Sequence, residues 1–217
     1  MKWQERMSKM IMRELSAEEL TGLYEAYMRE DFPQDELKPL QVLLDKQAEG
    51  ISRVYGWFAQ GQDETSRERL SGLRAYAILM QPEYREPYGQ DLYVLLDYYA
   101  VCSGYRDQGI GSVCLRELMH HVDCKGVLYE VEDPDSSETE EERTIREKRI
   151  RFYERIGCRW IQGIRANVFG VEFRLLLWNR EGQTIPPQEM KDAMTRVYRQ
   201  MLPEEIFRQQ IHLSLSE

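Results

Sequence analysis

The order of predicted elements points to a mixed α/β fold. Three observations carry this. Two helical stretches come early, three extended runs follow, and then the chain reads strand, glycine loop, helix, strand, helix. The most informative stretch is Leu92–Met119, where the apolar run Leu92–Val101 gives way to Arg106-Asp107-Gln108-Gly109-Ile110-Gly111 and then to helical spacing.

Lys9–Leu15 reads as a first strand. Ser16 with Glu19 forms a capping box that opens a helix through about Arg29, broken by Asp31-Phe-Pro-Gln-Asp35. Glu36–Gln47 reads as a second helix, stopped at Gly50. Ile51–Ala59 is a strand and Gln60–Arg69 a polar loop. Leu70–Gln81 and Gln90–Val101 are strands around the Pro82–Pro87 turn. Val127–Glu132 alternates as a strand and Asp133-Pro134 ends it. The helical stretch that follows places Ile145, Phe152 and Ile156 on one stripe, with Tyr153 beside it and Gly157 as its C-terminal stop. Phe173–Trp178 is a final apolar strand. Gly182–Pro187 reads as a linker. Gln188–Met201 is helical with Met190, Met194, Val197 and Met201 on one stripe, Leu202-Pro203 ends it, and Glu204–Leu215 is a tail without a clear pattern.

A strand, a glycine loop and a helix N-terminus in succession present backbone N–H groups and the positive end of a helix dipole, which suit a phosphate or pyrophosphate. Gly104 and Gly109 have P-loop spacing, but Ile110 and Gly111 stand where that motif needs Lys and Ser/Thr. A dinucleotide fingerprint starting from Gly109 and Gly111 needs a third glycine where Cys114 stands. Both absences weigh against a nucleotide-binding regulator.

Arg106, Gly109 and Gly111 match Arg/Gln-x-x-Gly-x-Gly/Ala after a strand, and this resembles the first signature of the GNAT superfamily of acetyl-CoA-dependent N-acetyltransferases. Phe152-Tyr153-x-x-x-Gly157, about forty residues on and beyond one strand, resembles the second. The resemblance covers 90–160 most closely and extends over 9–180. It implies a mixed, mostly antiparallel sheet of about six to seven strands flanked by helices. The expected organisation is an acetyltransferase domain over 1–180 and a C-terminal helical extension over 181–217, packed on that domain or on the partner of a homodimer.

By the same resemblance, Arg106, Asp107, Gln108, Gly109, Ile110, Gly111 and Ser112 hold the pyrophosphate of acetyl-CoA. The pantetheine runs beside Tyr99, Ala100 and Val101 like an added strand, and a bulge in that strand frees the Val101 N–H for the carbonyl oxygen. A preorganised donor of this kind is worth roughly 3 kcal/mol. Tyr153 protonates the leaving thiolate; a phenol with a pKa of about 10 carries its proton at neutral pH.

An acceptor alkylamine has a pKa of about 10.4, so a base or water relay must deprotonate it. Glu130 and Glu132, two apart on one strand face, are the leading candidates, with Asp97 and Glu172 behind them. Tyr55, Trp57, Tyr98 and Tyr99 are core by default and otherwise acceptor-pocket walls. Arg146 stands seven residues before Tyr153, where many members of the family carry an Asn that contacts the pantetheine, and Arg149 replaces the usual small residue. The same fold without turnover, an acyl-CoA-binding module, is the alternative function.

Composition bounds these readings. The chain has 217 residues, with charged and apolar fractions of a soluble domain and no membrane-length apolar run. The expected location is cytoplasmic, and Met1-Lys-Trp-Gln-Glu-Arg leads into no signal-peptide core. A net charge of −9 argues against nucleic acid and mildly favours a cationic small-molecule or peptide amine. Asp133–Glu142 carries six acids in ten residues, read as a solvated loop leading into a helix N-terminus. Cys102, Cys114, Cys124 and Cys158 form no CxxC pair and lie at no ligand spacing from a His, so no metal is expected. Cys102 lacks a nearby His partner for a covalent role.

Overall fold

The computed structural model describes residues 10–60, 70–81 and 92–216. These fall into two compact units: residues up to Leu79 with Asp97–Leu118, and Met80–Leu96 with Met119 onward. The expected strand starts at Lys9 and Gln90, the turn Pro82–Pro87 and all of the polar loop after Gln60 lie outside the described residues.

In the first unit, β1 (Met10–Glu14) pairs antiparallel with β2 (Ser52–Ala59), in register from Met10↔Ala59 to Glu14↔Tyr55. β3 (Leu73–Met80) follows, and then the Asp97–Val101 end of β4 (Tyr93–Val101). Between β1 and β2 the capping box forms: the Glu19 amide donates to Ser16 Oγ at 3.3 Å, and the Ser16 amide donates to Glu19 Oε2 at 2.9 Å. Helix α1 (Ala17–Leu23) continues through a π-helical turn (Tyr24–Met28) into Arg29–Asp31. It stops at Phe32, which is extended because Pro33 follows. Helix α2 (Leu40–Ala48) begins later than the expected Glu36, since Pro39 biases Lys38 away from helix. Leu15, Leu20, Leu23, Leu43, Val54 and Trp57 are almost fully buried, each worth about 1.5–3 kcal/mol for an aliphatic side chain. Helix α3 (Ile110–His121) enters this unit through its residues up to Leu118.

In the second unit, Tyr93–Leu95 of β4 runs parallel to β5 (Gly126–Glu132), paired Tyr93↔Gly126 to Leu95↔Leu128. The other pairings are antiparallel. β8 (Val171–Trp178) pairs with β5, β7 (Ile164–Val168) with β8, and β9 (Ile211–Leu215) with β7; the short β6 (Arg159–Trp160) also pairs with β8. β7 and β8 are joined by a two-residue turn, Phe169-Gly170, with φ of 51° and 84°. Positive φ at both positions is the twist a tight hairpin requires. β6 and β7 were not expected from the sequence, and the expected patternless tail is helix α6 (Glu204–Gln210) followed by β9.

Helix α4 (Glu140–Arg155) is capped by Thr139, and three glutamates in its first turn favour the dipole. Its expected apolar stripe is corrected at one position: Ile156 is buried at the C-terminal cap and Phe152 is half-buried, but Ile145 is 49% exposed, and Ile150 is buried within the helix instead. Helix α5 (Pro187–Met201) buries Met190, Met194, Val197, Tyr198 and Met201 within the single chain. Glu189 at its start accepts from Tyr93 Oη and Lys125 Nζ, both at 2.6 Å.

Candidate active site

The first half of the predicted site lies wholly in the first unit. Tyr99, Ala100 and Val101 are half-buried at the end of β4. The chain then makes a single 3₁₀ turn over Ser103–Tyr105, extends at Arg106, and enters left-handed backbone at Asp107 (φ 59°) and Gly109 (φ 74°). Asp tolerates that region and Gly has no Cβ to oppose it. Helix α3 starts at the next residue, so the N–H groups of Ile110, Gly111 and Ser112 have no partner within the helix.

Side chains fix this loop. Arg106 Nε donates to the Val101 carbonyl at 3.0 Å, and its guanidinium also pairs with Asp31 at the end of α1. The other Asp31 oxygen accepts from Tyr76 Oη at 2.8 Å. Tyr99 Oη donates to the Gly111 carbonyl at 2.8 Å, and its ring meets the Trp57 edge at 6.4 Å. Trp57 in turn donates to Glu117 at 2.8 Å. Strand end, glycine loop and first turn of α3 are therefore held together by Arg106 and Tyr99. Three first-turn amides at the head of a twelve-residue helix, with a cation nearby, form a donor set that fits a pyrophosphate.

Cys102 is buried in this unit, and loss of solvation together with the Asp31 charge pushes its thiol up to about 11. Such a thiol is not a ready nucleophile. Asp97, one of the weaker base candidates, pairs with Lys38 Nζ at 2.6 Å. Tyr98 donates to the Glu36 carbonyl at 2.8 Å and accepts from the Lys38 amide at 2.9 Å. Tyr55, Trp57 and Tyr98 are buried, as core residues are.

The second half lies wholly in the second unit. Tyr153 is on the last turn of α4, which ends in a Schellman arrangement. The Cys158 amide donates to the Tyr153 carbonyl at 3.1 Å, and the Gly157 amide donates to the Glu154 carbonyl at 3.0 Å, with Gly157 at φ 104°. The Tyr153 ring lies 4.8 Å from Tyr129 and 5.2 Å from Phe152. Loss of solvation pushes its hydroxyl up to about 12, against a smaller downward pull from Arg149.

The two glutamates of β5 are held by different helices. Glu130 accepts from Tyr198 Oη of α5 through both oxygens, each at 2.7 Å. Glu132 accepts from Arg146 at 3.3 Å and from Arg149 at 3.5 Å, both on α4. Arg146 also donates to the Asp133 carbonyl at 3.0 Å and to Ser136 Oγ at 3.2 Å. The two arginines that depart from the family pattern thus tie α4 to the end of β5. Glu172 accepts from Asn167 at 2.7 Å.

Sequence reasoning missed Asp31 and Tyr198. Asp31 carried no signal beyond its place before a helix break. Tyr198 sits four residues after Met194, beside the apolar stripe, where its hydroxyl could have marked it. Among the described residues, no group of three or more His, Cys, Asp or Glu could hold a metal ion, and no helix is long and apolar enough to cross a membrane. All four cysteines are free thiols.

No protein-family model and no curated protein sequence matches the chain. Solved structures do. A Bacteroides thetaiotaomicron protein described as a GNAT-family acetyltransferase is 14% identical with a TM-score of 0.60, covering 85% of this chain and 93% of its own. Arabidopsis thaliana NAA60, solved with acetyl-CoA, is 16% identical with a TM-score of 0.55, covering 79% of this chain and 99% of its own. Vibrio cholerae spermidine N-acetyltransferase, solved with CoA and spermine, is 8% identical with a TM-score of 0.54, covering 81% and 98%. Element order, mixed mostly antiparallel pairing and these likenesses agree: the chain has the fold of the GNAT acetyltransferases.

Proposed function

We propose that the protein is an acetyl-CoA-dependent N-acetyltransferase that moves the acetyl group directly to a primary amine. The carrying observation is the loop from Val101 to Ser112. Its left-handed residues, Arg106 and the first-turn amides of α3 make a ready cradle for a diphosphate. Acetyl-CoA supplies the thioester when bound. The acetyltransferase domain is assigned to 1–180, with 181–217 as its extension.

Ile110, Gly111 and Ser112 bind the pyrophosphate, and Tyr99–Val101 offers a strand edge to the pantetheine. The Val101 amide stabilises charge on the carbonyl oxygen. Tyr153, held protonated by burial, donates to the sulfur. Glu130 takes the acceptor's proton, directly or through water. Glu132 is the lesser candidate because two guanidinium groups already share it. The net charge of −9 favours a cationic acceptor; the spermidine acetyltransferase, solved with CoA and spermine, is a precedent for a polyamine acceptor on this fold.

One observation favours a second reading, an acyl-CoA-binding module without turnover: Arg146, in place of the usual pantetheine-contacting Asn, is committed to Glu132, Asp133 and Ser136. A thermal-shift titration with acetyl-CoA, paired with thiol release against an amine panel, separates the two. A rise in Tm with thiol release is expected. A rise without thiol release selects the module, and no shift with acetyl-CoA or CoA sinks both.

A further inference from the structure

Of the two β5 carboxylates, Glu130 meets the C-terminal extension, while Glu132 meets Arg146 and Arg149 of α4. The hydroxyl of Tyr198, on α5, lies 2.7 Å from each Glu130 oxygen. Tyr198 is 4% exposed, and Met194, Val197 and Met201 around it on the same helix are equally buried. A phenol locked by packing and within hydrogen-bond distance of both oxygens anchors the end of the glutamate side chain in place. That side chain otherwise samples several positions about its rotatable torsions. A proton acceptor works only within a narrow range of distance and angle, so that anchoring bears on the chemical step and not on cofactor binding. The residue lies outside 9–180, the stretch over which the sequence alone carries the resemblance.

We infer that Tyr198 is a positioning residue for Glu130: the C-terminal helix sets the place from which that carboxylate takes the acceptor's proton. The inference rests on the acetyltransferase reading above. It makes the extension a working part of the site rather than an appendage.

The test is steady-state thiol release by the full chain, with acetyl-CoA and whichever amine of the panel is turned over. Four variants are compared with wild type: Glu130→Gln, Tyr198→Phe, the double variant, and Met190→Ala, buried two turns away on the same helix, as a packing control. Glu130→Gln is expected to lower kcat by on the order of a hundredfold. Tyr198→Phe is expected to lower kcat about tenfold, with KM for acetyl-CoA within about twofold. The double variant is expected to match Glu130→Gln, because the inferred contribution of the phenol to the chemical step runs through that carboxylate. Met190→Ala is expected to lower Tm and leave kcat within about twofold. Wild-type kcat in Tyr198→Phe, or effects that multiply in the double variant, overturn the inference while the acetyltransferase reading stands. A wild type that releases no thiol overturns both.

Discussion

Replacing Asp31 by Asn tests whether the end of α1 braces the glycine loop. The carboxylate serves two donors at once, Arg106 on one oxygen and Tyr76 at 2.8 Å on the other. An amide keeps one acceptor, so one of the two must go unserved. Tyr76 is fully buried, and its hydroxyl is pushed far above the usual tyrosine value by loss of solvation and by the bond to Asp31. Leaving a buried donor unpaired costs about 1–3 kcal/mol. Losing the Arg106 pair adds under about 1 kcal/mol, because that side chain is 52% exposed. For a chain of this size, 1 kcal/mol corresponds to about 2–4 °C. A drop in Tm of about 2–16 °C is therefore expected by calorimetry. Tyr76→Phe should be coupled to it, the double variant losing about 1 kcal/mol less than the sum. The acetyl-CoA Kd should rise up to about fivefold, since Arg106 keeps its bond to the Val101 carbonyl. A Tm within 1 °C of wild type, or strict additivity with Tyr76→Phe, refutes the bracing argument.

Tyr153→Phe should lower kcat by on the order of a hundredfold while leaving the acetyl-CoA Kd unchanged. With its hydroxyl at about 12, Tyr153 stays protonated through the working range, so the wild-type kcat profile should show no alkaline fall assignable to it below about pH 10. Gly109→Val should cost about 1–2 kcal/mol of stability, since a branched residue must take φ 74°, and should raise the acetyl-CoA Kd about tenfold or more in isothermal titration. Glu189 has its pKa lowered by the bonds from Lys125 and then Tyr93. A lowered folded value means stabilisation that is complete above the unfolded value of 4.5 and lost as pH falls through the folded one. The Tm gap between wild type and Glu189→Gln, about 1 kcal/mol or less for a 33% exposed side chain, should therefore be largest near neutral pH and close below about pH 4.5.

What the sequence made legible was local. The Ser16–Glu19 box, the left-handed stop at Gly157 and the turn of Arg106–Gly111 into α3 depend on neighbours a few residues away. The strands it missed have little apolar mass of their own: Ile164-Arg-Ala-Asn-Val168 buries only alternate residues and takes its identity from pairing with β8 and β9. The stripe through Ile145 failed because α4 is so rich in charge that three apolar residues sufficed to suggest a face. Partners of the site residues were hidden for a different reason. Arg106 finds Asp31 across 75 positions, and Tyr198 finds Glu130 across 68, separations at which no spacing rule operates. Arg146 and Arg149 could be recognised as departures from a pattern, but their common carboxylate could not be read from periodicity.

The chain crosses between its two units after Leu79, Leu96 and Leu118, and this governs how it can be made. Neither unit is a continuous segment, so no single cut yields one of them alone. On the ribosome, the first unit has all its residues once Leu118 has emerged. Tyr93–Leu95, synthesised earlier, belongs to the unit whose last strand ends at Leu215. At about 5–20 residues per second, that strand waits roughly 6–24 s for its unit to be completed. An apolar strand kept waiting that long is a natural client for a chaperone, and slowing translation beyond Leu118 prolongs its exposure.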